Sequence, residues 1–143
     1  MKPLFFIGLI LAFASPLRLF GQRNQNTDYK NYKSTASAII LQKLINEQGI
    51  QNREIKMLIV DFPPKSASPA HRHPCPTFGY ILEGEIESEF EGVTHLYKKG
   101  DSFYEPTNGL HRVARNISPS NPARLLVFFI AEKDKPTSVA ANK

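Results

Sequence analysis

The 143-residue sequence predicts a single all-β domain, an antiparallel barrel or sandwich. Three observations predict it. From residue 63 onward, prolines and glycines punctuate the chain (Pro63, Pro64, Pro69, Pro74, Pro76, Gly79, Gly84, Gly92, Gly100, Pro106, Gly109) and leave no room for a long helix. Between them lie apolar runs of strand length: TFGYILEGEIESEFEG, VTHLYKKG, DSFYEP, HRVARNIS and ARLLVFFIAE. Within some of these, apolar and polar residues alternate with the two-residue period of a strand that has one face on a core.

The chain begins differently. Met1 and Lys2 precede the apolar run PLFFIGLILAFASPL and then FGQ, so residues 1–21 are expected to be a cleaved signal peptide, cut between Gly21 and Gln22. A transmembrane anchor is the competing reading, but the apolar run is shorter than the roughly 20 residues a spanning helix needs. No cysteine near the cut could accept a lipid. The mature protein is therefore expected to be exported, periplasmic or secreted, with no stable membrane anchor after cleavage. Lys2 and Arg18 leave with the leader and no acid does, so the formal net charge of +5 falls by two, to +3. The remaining basic residues are scattered among acids with no aromatic platform between them, which argues against a nucleic-acid partner. A lone cysteine, Cys75, cannot close a disulfide within the chain and is a buried apolar residue, a free thiol or a ligand.

Residues 22–34, with almost no aliphatic side chains, suit a flexible arm. The barrel domain is expected over 35–132. AIILQKLI (38–45) and REIKMLIVDF (53–62) read as paired strands, the second alternating Ile55, Met57 and Ile59 with Glu54, Lys56 and Leu58. A helix over 36–47 is the alternative, since Ile39, Leu41, Leu44 and Ile45 would partly share a helix face. EIESEFEG sets Ile86, Ser88 and Phe90 against Glu85, Glu87, Glu89 and Glu91, which predicts a strand with a solvated acidic face. The tail, 133–143, is polar and expected to fray.

The chemistry concentrates in SPAHRHPCPTFGYILEGE, residues 68–85. If 71–77 is extended, His71, His73, Cys75 and Thr77 project to one face. Pro74 and Pro76 favour that extension and remove amides that a central strand would need. Two imidazoles on one face are half a transition-metal site, suited to zinc, iron, copper, nickel or manganese rather than calcium. The same pair on an ordinary surface strand would simply be solvated, so a third ligand decides. His95, in GVTHLYKKG, has no donor at useful spacing and reads as an exposed strand residue. His111 follows the PTNG turn and opens the strand HRVARN, a loop-to-strand junction like that of His71 and His73.

HRHPCPTFGYILEG and GDSFYEPTNGLHRVARN together resemble the two motifs of the cupin superfamily, G-x5-H-x-H-x(3,4)-E-x6-G and G-x5-P-x-G-x2-H-x3-N. His71, His73 and Gly84 hold their places in the first, and Gly100, Pro106 and His111 hold theirs in the second. The 15 residues between Gly84 and Gly100 match the short spacing of small single-domain bacterial cupins. The resemblance covers about residues 55–130 and implies a jelly-roll barrel of six to eight strands. It also implies one divalent metal (Fe, Zn, Mn, Ni or Cu) held inside by His71, His73 and His111. Four positions depart from the pattern. Thr77 stands at the position of the metal glutamate, Lys65 and Asn108 replace motif glycines, and Arg115 takes the asparagine position beside Asn116.

Without the glutamate, three neutral donors remain in an open site, and Cys75 is a further candidate that as a thiolate would favour zinc or copper. Glu105 is the candidate catalytic base, its competing reading being a solvated carboxylate before Pro106. Alternation sends Ile81, Phe103 and Glu105 to the face opposite Tyr80 and Tyr104. The function expected is that of a metal-dependent dioxygenase, isomerase or lyase acting on a small molecule; the alternative is a barrel that binds a ligand or metal without turnover. Cupins commonly pair through their sheets, so a homodimer is expected, with LLVFFIA buried in the barrel or against a second subunit.

Overall fold

A computed structural model describes residues 33–141, and among these there is no helix. The leader and most of the arm expected before residue 35 lie outside the described residues. Two sheets form. One runs β1 (Ala36–Glu47), β2 (Ile50–Phe62), β10 (Ala123–Glu132), β5 (Thr77–Glu83), β8 (Ser102–Glu105). The other runs β11 (Val139–Ala140), β4 (His71–Arg72), β9 (Leu110–Asn116), β6 (Glu85–Phe90), β7 (Val93–Lys98), with β3 (Ser66–Ala67) also on β9. Every strand pairing is antiparallel.

The core follows from the two-residue period. In β10, Ala123, Leu125, Val127, Phe129 and Ala131 are buried while Leu126, Phe128 and Ile130 are only half-buried. The buried set packs in one cluster with Phe62 of β2, Ile81 of β5, Ile86 of β6 and Ala114 of β9, so both sheets close on a common interior. LLVFFIA thus lies in the middle of the five-stranded sheet, one face inside the barrel. The helix alternative over 36–47 is not adopted: β1 and β2 form a hairpin, turning at Gly49, whose φ of 86° suits a residue without a Cβ.

Two departures from the motif glycines have a backbone explanation. Lys65 and Asn108 both sit at positive φ, 56° and 64°, so the chain keeps the left-handed geometry a glycine would supply and accepts the strain of a side chain there. Gly84 is retained where substitution is blocked twice, by φ of 70° and by the backbone of Pro122 and Ala123 against the space a Cβ would fill. Asn116 is 1 % exposed; its side-chain amide donates to the carbonyls of Phe62 and Asn121 and its Oδ1 accepts from the Ser118 amide, tying the end of β9 to two loops.

Two expectations are corrected. The acid face of β6 is not wholly solvated: Glu89 is buried and paired with Arg112 at 3.0 Å, and Glu87 is half-buried against Arg115. Adjacent β9 supplies both arginines, which is what allows carboxylates to leave water here. The tail does not fray at 137–141. It returns as β11 to pair with β4, and the Ala141 amide donates to the Ala70 carbonyl.

Candidate metal centre

His71 lies in β4 directly opposite His111 in β9, and His73 follows β4 in the bend that leads to β5. Cross-strand pairing thus unites residues forty apart in sequence, which the motif spacing alone could only suggest. One ring nitrogen of each of the three lies within 4.8 Å of the others. His73 and His111 are 8 % and 5 % exposed and His71 is half-buried. His73 also packs on the ring of Phe129, centroids 5.1 Å apart.

Hydrogen bonds fix the tautomers of the first two rings. Nδ1 of His71 lies 2.8 Å from the Pro69 carbonyl, and Nδ1 of His73 lies 2.6 Å from the Thr137 carbonyl. A carbonyl can only accept, so each Nδ1 carries the proton and each Nε2 presents a lone pair. These two Nε2 atoms face each other at 3.1 Å. Burial lowers the pKa of His71 to about 4 and lowers that of His73, so both rings are neutral near pH 7. Two lone pairs at that distance repel unless a cation lies between them. The donor set therefore fits the metal that the sequence implies, with neutral imidazoles already turned to receive it.

His111 is held by a side chain. Its Nε2 lies 3.0 Å from the Ser88 hydroxyl, and its Nδ1 lies 3.2 Å from Oε1 of Glu105 without hydrogen-bond geometry. Glu105 is 3 % exposed, not a solvated turn carboxylate, and its Oε2 is 3.7 Å from Nε2 of His73. It shares an inward face with Ile81 and the partly buried Phe103, while Tyr80 and Tyr104 are exposed, as alternation predicts.

Cys75 is buried in the hydrophobic core cluster and is not one of the residues whose ligand atoms converge. Desolvation raises its pKa, which keeps it a thiol rather than the thiolate a metal takes. Thr77 is buried beside the site, its hydroxyl donating to the Cys75 carbonyl at 3.1 Å. His95 is exposed in β7. Sequence reasoning missed Ser88, although its place on the inward face between Ile86 and Phe90 is a signal for a buried hydroxyl with a task. It also missed the carbonyls of Pro69 and Thr137, which have no side-chain signature.

The three histidines open on a cavity of about 390 Å³. Leu58, Val60 and Phe62 of β2 and Leu125, Val127 and Phe129 of β10 form its apolar wall. Among the described residues, no lysine or arginine lines it.

A family profile described as "Cupin domain" matches residues 58–129, half of the chain. No curated protein matches the sequence. Among solved structures, KdgF from a Halomonas species is 21% identical with a TM-score of 0.56, covering 70% of this chain and 81% of that one. DMSP lyase DddQ from Ruegeria pomeroyi is 24% identical with a TM-score of 0.58; the match covers 75% of this chain and 51% of that one. An RmlC-like cupin from Shewanella frigidimarina is 20% identical with a TM-score of 0.53, covering 70% and 78% of the two chains. At these identities the likeness is one of fold.

Proposed function

From a chain that belongs to the cupin family, we propose a protein that binds one divalent transition metal through His71, His73 and His111 and uses it on a small molecule held in the barrel cavity. The observation that carries this reading is the pair of Nε2 lone pairs facing each other at 3.1 Å beside the buried ring of His111. A bound metal would supply Lewis-acid activation of a ligand oxygen or of water. The chain's own residues do the rest. The Pro69 and Thr137 carbonyls hold the first two rings in the ligating tautomer. The apolar wall from β2 and β10 strips water from whatever enters and strengthens every polar contact inside.

The lining also narrows the substrate. Among the described residues no lysine or arginine lines the cavity, so charge on a ligand would be balanced at the metal end, which favours a small molecule with an apolar body and one oxygen-bearing end. Dioxygenation, isomerisation and elimination all suit such a molecule, and the lyase among the structural neighbours is consistent with that range. Thr77, at the place of a ligand carboxylate, favours a second reading in which the barrel captures a metal or ligand without turnover. Ligand-dependent thermal stabilisation without substrate loss would mark that case.

Elemental analysis of the protein purified without chelator, against His71→Ala/His73→Ala, tests the proposal. We expect one equivalent of a transition metal in the wild type and none in the variant; a wild type that stays metal-free after loading with Fe, Zn, Mn, Ni and Cu overturns it.

Export and self-association belong to the same proposal. The leader-like residues 1–21 support an exported, periplasmic or secreted protein, tested by N-terminal sequencing of the mature form. A homodimer is supported by apolar residues left exposed on the five-stranded sheet, Phe78, Tyr80 and Tyr104 among them, and light scattering reads it directly.

A further inference from the structure

We propose that Glu105 is the anionic ligand of this centre, moved from the position of Thr77 to the facing residue of the neighbouring strand. The inference rests on the three-histidine reading above. Its first support is register: β5 and β8 pair antiparallel with Thr77 directly opposite Glu105. Residues so paired project to the same face of a sheet, with Cβ atoms about 5 Å apart. A carboxylate at 105 therefore enters the same cavity as one at 77, and both residues line it.

The second support is the surroundings of that carboxylate. Glu105 is almost fully buried, yet the ion-pair partners it has among the described residues are His73 and His111, with no lysine or arginine. A buried carboxylate without a cation is costly. Its Oε2 has no hydrogen-bond partner, and the same is true of Nδ1 of His111. Oε2 faces Nε2 of His73, which carries a lone pair because Nδ1 donates to Thr137. An acceptor thus faces an acceptor, and two unsatisfied buried atoms sit on the side of the site nearest His73 and His111. A shared cation satisfies all of them, where a single proton could bridge only one pair.

The consequence is a centre of three nitrogens and one carboxylate oxygen, harder than three imidazoles alone and less suited to Cu(I). Loss of the motif glutamate is then a relocation of negative charge rather than a deletion of it. The competing role is a carboxylate that stays off the metal and acts as a base or orients His111.

Chelator-competition titration with Zn²⁺ and the visible spectrum of the Co²⁺-loaded protein distinguish these. Glu105→Gln keeps the shape and removes the charge; it is expected to weaken Zn²⁺ binding beyond the ~100-fold that loss of an outer partner reaches and to change the Co²⁺ spectrum. The double variant Thr77→Glu/Glu105→Thr should recover affinity to within ~10-fold of wild type, since ligand charge and cavity are both restored. Circular dichroism separates these effects from misfolding. An unchanged Co²⁺ spectrum in Glu105→Gln overturns the ligand assignment, whatever the affinity. Wild-type protein that takes up neither metal overturns the three-histidine reading itself, so the two failures are distinguishable.

Discussion

The two sides of the histidine cluster are held by different means. His71 and His73 are clamped through Nδ1 by backbone carbonyls, of Pro69 and Thr137. His111, on the facing strand, is held by the hydroxyl of Ser88, while the Glu105 carboxylate lies beside its Nδ1 without a hydrogen bond to it. A carbonyl clamp is set by the path of the chain and survives any side-chain change at its own position. A side-chain clamp is a single substitution away from removal. One half of the site is therefore as firm as the barrel, and the other half is tunable.

Removing the ring of the side-chain-held half should have the largest effect. His111→Ala is expected to weaken metal binding by more than ~100-fold, exceeding what loss of an outer partner produces, as read by chelator competition. Retained affinity would mean that the backbone-clamped pair suffices. Next is pH. Burial holds the folded-state pKa of His71 near 4, below its ordinary 6.5, and lowers that of His73 as well. Between those values the unfolded chain binds protons that the folded one refuses. The metal-free protein should thus be fully stable above about pH 6.5 and lose up to about 3 kcal/mol from His71 as pH falls to 4, measured by urea unfolding. A flat profile would show that the clamped rings can open to water.

Ser88→Ala tests the tunable half more gently. Loss of one hydroxyl partner is expected to lower metal affinity about 10-fold and leave the stoichiometry at one, whereas equal affinity would show that the strand alone positions His111. The smallest effect on the metal is expected at Cys75. Cys75→Ser should keep metal affinity within ~3-fold of wild type, because the buried thiol is not a thiolate. It should still cost about 1–2 kcal/mol of stability by placing a hydroxyl in the core. A larger loss of metal would bring Cys75 into the site.

The same contrast explains what could be read in advance. The two-residue alternation of ARLLVFFIAE and the glycine and proline punctuation gave the sheets, because periodicity is a local property of the sequence. His71, His73 and His111 were visible because motif spacing encodes a strand junction. Glu105 was visible as a residue but not as a buried one, since its burial depends on β8 pairing with β5 and on Phe103 and Glu105 turning inward together. The acidic face of β6 misled for a related reason: the arginines that allow Glu87 and Glu89 to leave water lie on β9, more than twenty residues away. The Thr137 clamp was hidden altogether, because a tail of polar composition gives no sign that its backbone will pair with β4.

That clamp also sets an order in time. Synthesis runs from the N-terminus, so His71, His73 and His111 all leave the ribosome before Thr137 does. A growing chain can hold all three rings and still lack the carbonyl that fixes the tautomer of His73. If the centre binds a metal as proposed, its full donor set is complete only when the chain has reached Thr137 and β11 has docked, and a metal met earlier would encounter a looser set of donors.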